Sequence, residues 1–252
     1  MAQTFGQAGR FATEATYGHT KRIVATAFFA VGIVAFLCGY ALSGVFPLHG
    51  LPLAWTIFVS ISLCLGMWII GEWATTKIDS IDRKRMAWRT GAVGEAIVGA
   101  TLAELPDDFV VVNDVPTRFG NIDHVVIGPT GVYLIDAKNW RGTVSSNGNG
   151  ELQLNGRMPP KPAVKSLLGG VMDFRTKVNA LTNSDYFIRG LLVFPNAYVE
   201  ASFGSTRQIH CLRNDRLVTY LQEQRAPRKL TSSEINQLKL ATLRIATIKN
   251  AV

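Results

Sequence analysis

Apolar residues are concentrated in the first third of the chain, and beyond it they alternate with polar residues in short segments. Residues 23–46 and 51–70 form two runs without a charged side chain, separated by a short turn at 47–50. A helix needs roughly 20 apolar residues to cross a bilayer. The pattern therefore predicts a transmembrane hairpin of two helices, at about 23–46 and 51–70.

The charges that flank these runs predict an orientation. Lys21 and Arg22 precede the first run and a basic group at 77–89 follows the second, whereas the turn has no lysine or arginine. Basic flanks are typically cytoplasmic. We therefore expect a multi-pass protein of a bacterial-type inner (plasma) membrane with both termini cytoplasmic. A signal peptide cleaved near residues 41–43 is the alternative.

After residue 72 the pattern becomes that of a mixed α/β domain. The predicted division is a cytosolic tail at 1–22, the two transmembrane helices within 23–71, a basic linker helix at 72–89 and a globular domain at 90–252 with its core at about 91–196. Apolar periodicity predicts helices at 91–105, 163–181, 215–224 and 234–249, and strands at 109–113, 188–194 and 208–212. Two hairpins are expected between them, at 121–142 and 143–154.

The first of these hairpins carries the candidate chemistry. Its two apolar strands are joined by the turn signal Gly-Pro-Thr-Gly at 128–131. Asp136 and Lys138 are two residues apart and share a face of the second strand. Asp123 lies about as far before the turn as Asp136 lies after it, so the two carboxylates are expected to meet across the strand pair.

Two carboxylates and a lysine at one point suit a hydrolase that uses a divalent metal, because hard oxygen ligands hold Mg²⁺. The alternative is a partly buried ion pair between Asp136 and Lys138 that only fixes the sheet. His124 points to the opposite face and is expected to pack rather than to bind a metal.

Composition and charge limit the classes of binding partner but do not distinguish nucleic acid from an anionic membrane. The net charge is +8 and the three cysteines form neither a disulfide framework nor a zinc spacing. A basic chain suits a nucleic acid or an anionic membrane face. The chain lacks the phosphate-cradling GxxxxGK[ST] loop and the GxSxG nucleophile motif, which disfavours ATP hydrolysis and serine catalysis.

Several separated motifs carry a resemblance to a known family. They are Gly94-Glu95, the segment GNIDHVVIGP at 120–129, and GVYLIDAKNW at 131–140 followed by Gly142. In this order they resemble the nuclease-related domain (NERD) family, which is grouped with the PD-(D/E)xK nuclease-like fold. The resemblance is clear over about 91–142 and weaker to about residue 196.

The resemblance implies a restriction-endonuclease-like mixed sheet flanked by helices and a metal-dependent nuclease. It implies that Asp123, Asp136 and Glu95 hold Mg²⁺ or Mn²⁺ and that Lys138 acts on the attacking water and the phosphate. Without it, Glu95 reads as a helix glutamate favoured by the helix dipole. The implied partner is nucleic acid, foremost DNA, and RNA, a homo-oligomer and membrane-complex partners stay open.

Three further residues are candidates for a substrate groove. Asn139 and Trp140 follow the second strand and either border a groove or close the end of the sheet. Lys165 stands where the family leads us to expect a glutamine. That departure motivates an alternative, in which the fold is kept as a non-catalytic module that binds nucleic acid or docks a membrane-associated partner.

Overall fold

The computed structural model describes residues 1–6, 26–33, 53–200, 209–223 and 228–247. It divides the chain into two compact units, one formed by Met1–Ala12 with Thr90–Val252 and the other by Thr13–Arg89. The second unit holds the helical residues 26–33 and the first part of a long helix, α1 (Leu53–Leu102). The last turns of α1, from Thr90 onward, belong to the first unit.

The first unit contains nine described strands and three further α-helices. The strands are β1 (Gln3–Phe5), β2 (Val110–Thr117), β3 (Gly120–Gly128), β4 (Gly131–Ala137), β5 (Gly142–Ser146), β6 (Leu152–Leu154), β7 (Ile188–Phe194), β8 (Ala197–Val199) and β9 (Ile209–Arg213). The helices are α2 (Ala163–Thr182), α3 (Leu217–Glu223), which follows a short 3₁₀ turn, and α4 (Ser232–Thr247).

Six strands form the main sheet in the order β1-β2-β3-β4-β7-β9. The β2–β3–β4 part is antiparallel, and β7 and β9 continue it as parallel strands beside β4. A smaller sheet has the order β6-β5-β8. Helices packed on a mixed sheet confirm the coarser part of the expected fold class, a mixed α/β domain.

Both faces of the main sheet are covered, as the apolar density of its central strands predicts. One face packs against α2 and α4 through Phe174, Val178, Leu238 and Ile245. The other face packs against the end of α1 and against α3 through Val98, Leu102, Leu217 and Leu221. Residues at the centre of the sheet are therefore shielded from water, and only its ends can present polar groups to a ligand.

An irregularity interrupts the alternation of side chains next to the candidate site. Asp114 of β2 has a φ of 57°, a left-handed conformation that aspartate adopts more readily than most residues. The registered pairs Asn113↔His124 and Val115↔Ile122 place it opposite Asp123. Because of this distortion, Ile122 packs in the same cluster as Val125, although the two are three residues apart.

Two local predictions differ from the structure. Residues 3–5, expected in a loose tail, form β1 and pair in parallel with residues 110–112 of β2. The segments 51–70, 72–89 and 91–105 were expected as separate helices, but residues 53–102 form the single helix α1. An interior glycine costs only about 1 kcal/mol relative to alanine, and the helix continues through Gly71 and Gly91.

The membrane prediction is contradicted. In the part of the chain that the structure describes, no helix is long and apolar enough to cross a bilayer. Residues 53–70 of the second run lie in α1, which does not end there but continues through the charged residues 72–89. Of the run at 23–46, only residues 26–33 are described, and the turn at 47–50 lies outside the described residues. The multi-pass inner-membrane localisation and the bilayer as a partner are thus not supported.

Candidate active site

The end of β4 carries the ion pair that the sequence predicts. Nζ of Lys138 lies 2.6 Å from Oδ2 of Asp136, and the two side chains are 29% and 17% exposed. The backbone N–H of Lys138 donates to the carbonyl of Val193 at 2.8 Å, which extends the pairing of β4 with β7 by one residue. The lysine is therefore held at the end of the sheet, where both charged groups stay partly exposed.

Asp123 completes this cluster from the neighbouring strand. The pair His124↔Ile135 sets a register in which Asp123 lies opposite Asp136. Oδ2 of Asp123 accepts a hydrogen bond of 2.7 Å from the backbone N–H of Ala137. This bond crosses from β3 to β4 and fixes the carboxylate beside the ion pair.

The electrostatics of the cluster show an excess of negative charge. Burial raises the pKa of Asp123 well above its ordinary value, and the charges of Asp136 and then Glu95 raise it further, while Lys138 opposes them. Burial alone would lower the pKa of Lys138, but the surrounding carboxylates reverse this effect and raise it. The lysine therefore stays an ammonium at neutral pH, and one positive charge faces three carboxyl groups.

Glu95 reaches the cluster from the part of α1 that belongs to the first unit. A methyl group on the adjacent Gly94 would lie 2.7 Å from Cβ of Asn139, so the helix approaches the end of β4 as closely as glycine allows. Nδ2 of Asn139 also donates to the carbonyl of Thr90 at 2.7 Å. These contacts explain why the charge of Glu95 acts on both Asp123 and Lys138.

Comparison with known proteins identifies the segment that builds this site. Residues 90–195 match the nuclease-related domain (NERD) family. The match begins at Thr90, the residue of α1 at which the first unit starts, and ends just after β7. It therefore includes Glu95, Asp123, Asp136 and Lys138. The mixed sheet of this segment is consistent with the PD-(D/E)xK nuclease-like fold.

One curated relative is an uncharacterized protein of Bacillus anthracis, 33% identical over 73 residues. The aligned part covers 27% of this chain and 34% of the relative. The chain therefore spans about a third of the length of that relative. No solved structure gives a significant match. The NERD match thus indicates a nuclease-like function for residues 90–195 and carries no information on the rest of the chain.

Asn139 and Trp140 of the NERD segment have structural contacts. Oδ1 of Asn139 accepts from Nδ2 of Asn196 at 2.6 Å, so its amide ties the start of the β7–β8 turn to α1. The Trp140 ring packs on Phe194 with 5.4 Å between ring centroids and borders the core on the α2 face. These contacts favour the alternative in which both residues close the end of the sheet, and a substrate-groove role stays a prediction.

Lys165 lies in the first turn of α2 with an exposed side chain. No hydrogen bond or ion pair joins its Nζ to the described residues around it. Its backbone N–H donates to Oε2 of Glu151 at 3.1 Å, and Oε1 of Glu151 accepts from Val164 at 2.8 Å. The family's glutamine position is therefore anchored through the backbone.

The role of Glu151 as this anchor was missed in the sequence. Helix α2 starts after Pro162, which offers no side-chain cap, so its first N–H groups need an acceptor from elsewhere in the chain. A proline-led helix without a Ser, Thr, Asp or Asn cap was the available signal. It indicates that an acceptor is needed and does not show which residue supplies it.

His124 is buried beside the charged cluster and faces away from Asp123 on β3. Its Nδ1 donates to Oδ1 of Asn113 at 2.7 Å, and burial lowers its pKa to about 4. The imidazole is therefore neutral at physiological pH with its proton on Nδ1. This agrees with the expectation that His124 packs between strands.

The carboxylates of the cluster are chemically suited to a hard divalent cation, but they do not form a complete set of metal ligands. Carboxylate oxygens are the ligands that Mg²⁺ and Mn²⁺ prefer. A cation would relieve the repulsion by Asp136 and Glu95 that adds to burial in raising the pKa of Asp123. Among the described residues, however, no three His, Cys, Asp or Glu side chains form a ready group of metal ligands. Two protein carboxylates with water and substrate oxygens are a common way to hold Mg²⁺.

Proposed function

We propose that the NERD segment hydrolyses phosphodiester bonds of nucleic acid, DNA in the first place and RNA as the other substrate, with Mg²⁺ or Mn²⁺ as cofactor. The observation that carries the proposal is the partly exposed Asp136–Lys138 ion pair, with the half-buried Asp123 fixed beside it. An ion pair that served stability alone would not need a second carboxylate, Asp123, whose ionisation the site opposes.

Each residue has a distinct role in this proposal. Asp123 and Asp136 would hold the cation, and Glu95 adds negative charge from the helix. When bound, the cation supplies Lewis acidity and neutralises charge on the phosphate. Lys138 keeps its proton and donates hydrogen bonds to the attacking water or to a phosphate oxygen. Hydrolysis forms one P–O bond from water and breaks the P–O bond to the leaving sugar oxygen, which takes up a proton.

The test is a cleavage assay with the full-length chain. Labelled single- and double-stranded DNA and RNA are incubated with Mn²⁺ or Mg²⁺, or with a chelator. Cutting should require the metal and should be lost in Lys138→Ala. Lys161→Ala is the matched control, because it removes an exposed lysine of the same domain that lies outside the cluster. Equal cutting by wild type and Lys138→Ala would refute the assigned site.

A second candidate is a non-catalytic module that binds nucleic acid through the same fold. Two observations favour it: the lysine at position 165 in place of the expected glutamine, and the lack of a three-ligand metal group among the described residues. It predicts intact nucleic acid in every cleavage reaction, together with binding that weakens steeply as salt rises.

A further inference from the structure

A cavity of about 350 Å³ lies at the other end of β4 from the charged cluster. Its lining includes Tyr133 on β4, Arg189 on β7 and Phe187 just before β7, together with Asp185, Tyr186 and Arg228. Five residues of an extended strand separate Tyr133 from Lys138, which corresponds to roughly 17 Å. The cavity is therefore distinct from the proposed hydrolytic site, and its volume lies in the usual range for small-molecule pockets.

Two charged groups at the cavity, Asp185 and Arg228, already have partners, whereas Arg189 has no ion pair with any of the described residues. The carboxylate of Asp185 receives two hydrogen bonds of 2.8 Å from Nη2 of Arg175 and one of 2.7 Å from Nδ2 of Asn179. Nη1 of Arg228 donates to Glu234 at 3.0 Å. Among the described residues, by contrast, no carboxylate pairs with Arg189. An anion that enters the cavity would meet the Arg189 guanidinium without having to break an existing ion pair.

Arg189 is held in place by aromatic neighbours. Its Cζ lies 5.6 Å from the centroid of the Phe187 ring, a cation–π distance, and the register pairs it with Tyr133 on β4. Tyr133 is fixed in turn, because its hydroxyl donates to the carbonyl of Thr130 at 2.9 Å. The guanidinium is thus positioned by packing on rigid strands.

Phe187 offers a surface for a flat ring. Its side chain is 48% exposed although it lies directly between the buried Tyr186 and Ile188. The Arg189 guanidinium lies over the Phe187 ring, and the exposed part of the ring lines the cavity. Aromatic side chains stack on nucleic-acid bases of any type, and a guanidinium binds phosphate through paired N–H groups.

We propose that this cavity binds a nucleoside monophosphate, with the base stacked on Phe187 and the phosphate on Arg189. The inference does not depend on the proposed nuclease activity, because it uses none of the residues of the charged cluster. A chain that fails to cut nucleic acid would still bind the nucleotide.

The test is calorimetric titration of the full-length chain with AMP, GMP, CMP and UMP in the presence of EDTA, which excludes binding through a metal at the carboxylates. We expect saturable binding with one nucleotide per chain for at least one of the four. Inorganic phosphate and the nucleoside of the nucleotide that binds, titrated separately, should each bind at least ten times more weakly than that nucleotide or not at all, because each offers only half of the contacts.

Two variants assign the site. Arg189→Gln and the surface change Phe187→Ala should each weaken nucleotide binding at least tenfold. Arg157→Gln makes the same change of charge at an exposed position outside the cavity and should leave binding unchanged, as should Lys138→Ala. The absence of saturable binding for all four nucleotides would overturn the proposal, and so would an affinity that neither cavity variant alters. If Arg189→Gln does not fold, Phe187→Ala decides the outcome.

Discussion

Replacing Glu151 with alanine should loosen the start of α2 by about 2 kcal/mol. The Glu151 carboxylate accepts N–H bonds of 3.1 Å from Leu152, 2.8 Å from Val164 and 3.1 Å from Lys165. Loss of a helix cap costs about 0.5–2 kcal/mol, and loss of a negative charge at a helix N-terminus costs a further 0.3–1 kcal/mol, approximately. Glu151→Gln keeps one oxygen acceptor and should lose about half of the total.

Amide hydrogen exchange measures this effect where it occurs. A loss of about 2 kcal/mol corresponds to roughly 30-fold faster exchange, and the increase should be confined to Val164, Lys165 and the turn that follows. Glu104→Ala is the matched control, because Glu104 is an exposed carboxylate outside this helix start. If the exchange of Val164 and Lys165 is the same in Glu151→Ala as in wild type, the carboxylate does not cap the helix and our reasoning is wrong.

Three further predictions concern burial and charge. Asp123→Asn should raise the free energy of unfolding near pH 7, because burial and the adjacent carboxylates raise the pKa of Asp123 in the folded state above the ordinary 3.8. In denaturant titrations this gain in stability should vanish as the pH falls below 3.8, where Asp123 is protonated in both the folded and the unfolded state. A gain that persists below that pH would contradict the assigned cause. Phe174→Ala removes a fully buried ring of α2 and should cost about 3–5 kcal/mol in urea unfolding, whereas Met172→Ala, at a position 49% exposed on the same helix, should cost far less; equal losses would refute the assigned packing of α2. Burial raises the pKa of the Cys211 thiol to about 12. In a variant whose other two cysteines are replaced by serine, alkylation of Cys211 in the folded protein should therefore be very slow at pH 8. Rapid alkylation would contradict the burial of Cys211.

The central hairpin could be predicted because its signals are local. The turn Gly-Pro-Thr-Gly fixes the pairing Gly128↔Gly131, and counting outward from that pair places Asp123 opposite Asp136. The ion pair between Asp136 and Lys138 follows from the two-residue period of a strand. These three positions required no knowledge of distant contacts, and the resemblance to NERD proteins added only Glu95.

Features that depend on distant contacts could not be predicted in this way. The three residues of β1 carry no pattern of their own and become a strand only because β2 offers a free edge. Glu151 acts on a helix that begins 12 residues later in the chain, and Arg189 meets Tyr133 only through the parallel pairing of β7 with β4.

The long helix shows the opposite error, in which local signals were given too much weight. The change from apolar to charged composition at residue 72 suggested separate helices. Helix propagation past an interior glycine such as Gly71 or Gly91 is inexpensive, and residues 53–102 form one helix. The apolar run at 51–70 was interpreted by itself as a membrane span, without the charged half of the helix to which it belongs.

The most direct test of the proposed nuclease site is the initial rate of DNA cleavage by the full-length chain in Mn²⁺, compared with that of Asp136→Asn. This substitution keeps the shape of the side chain and removes the charge that both the cation and Lys138 require. We expect wild type to cut and the variant, shown to be folded by circular dichroism, to lose at least a hundredfold in rate. Cleavage by both proteins at the same rate would place the activity elsewhere in the chain and contradict our assignment.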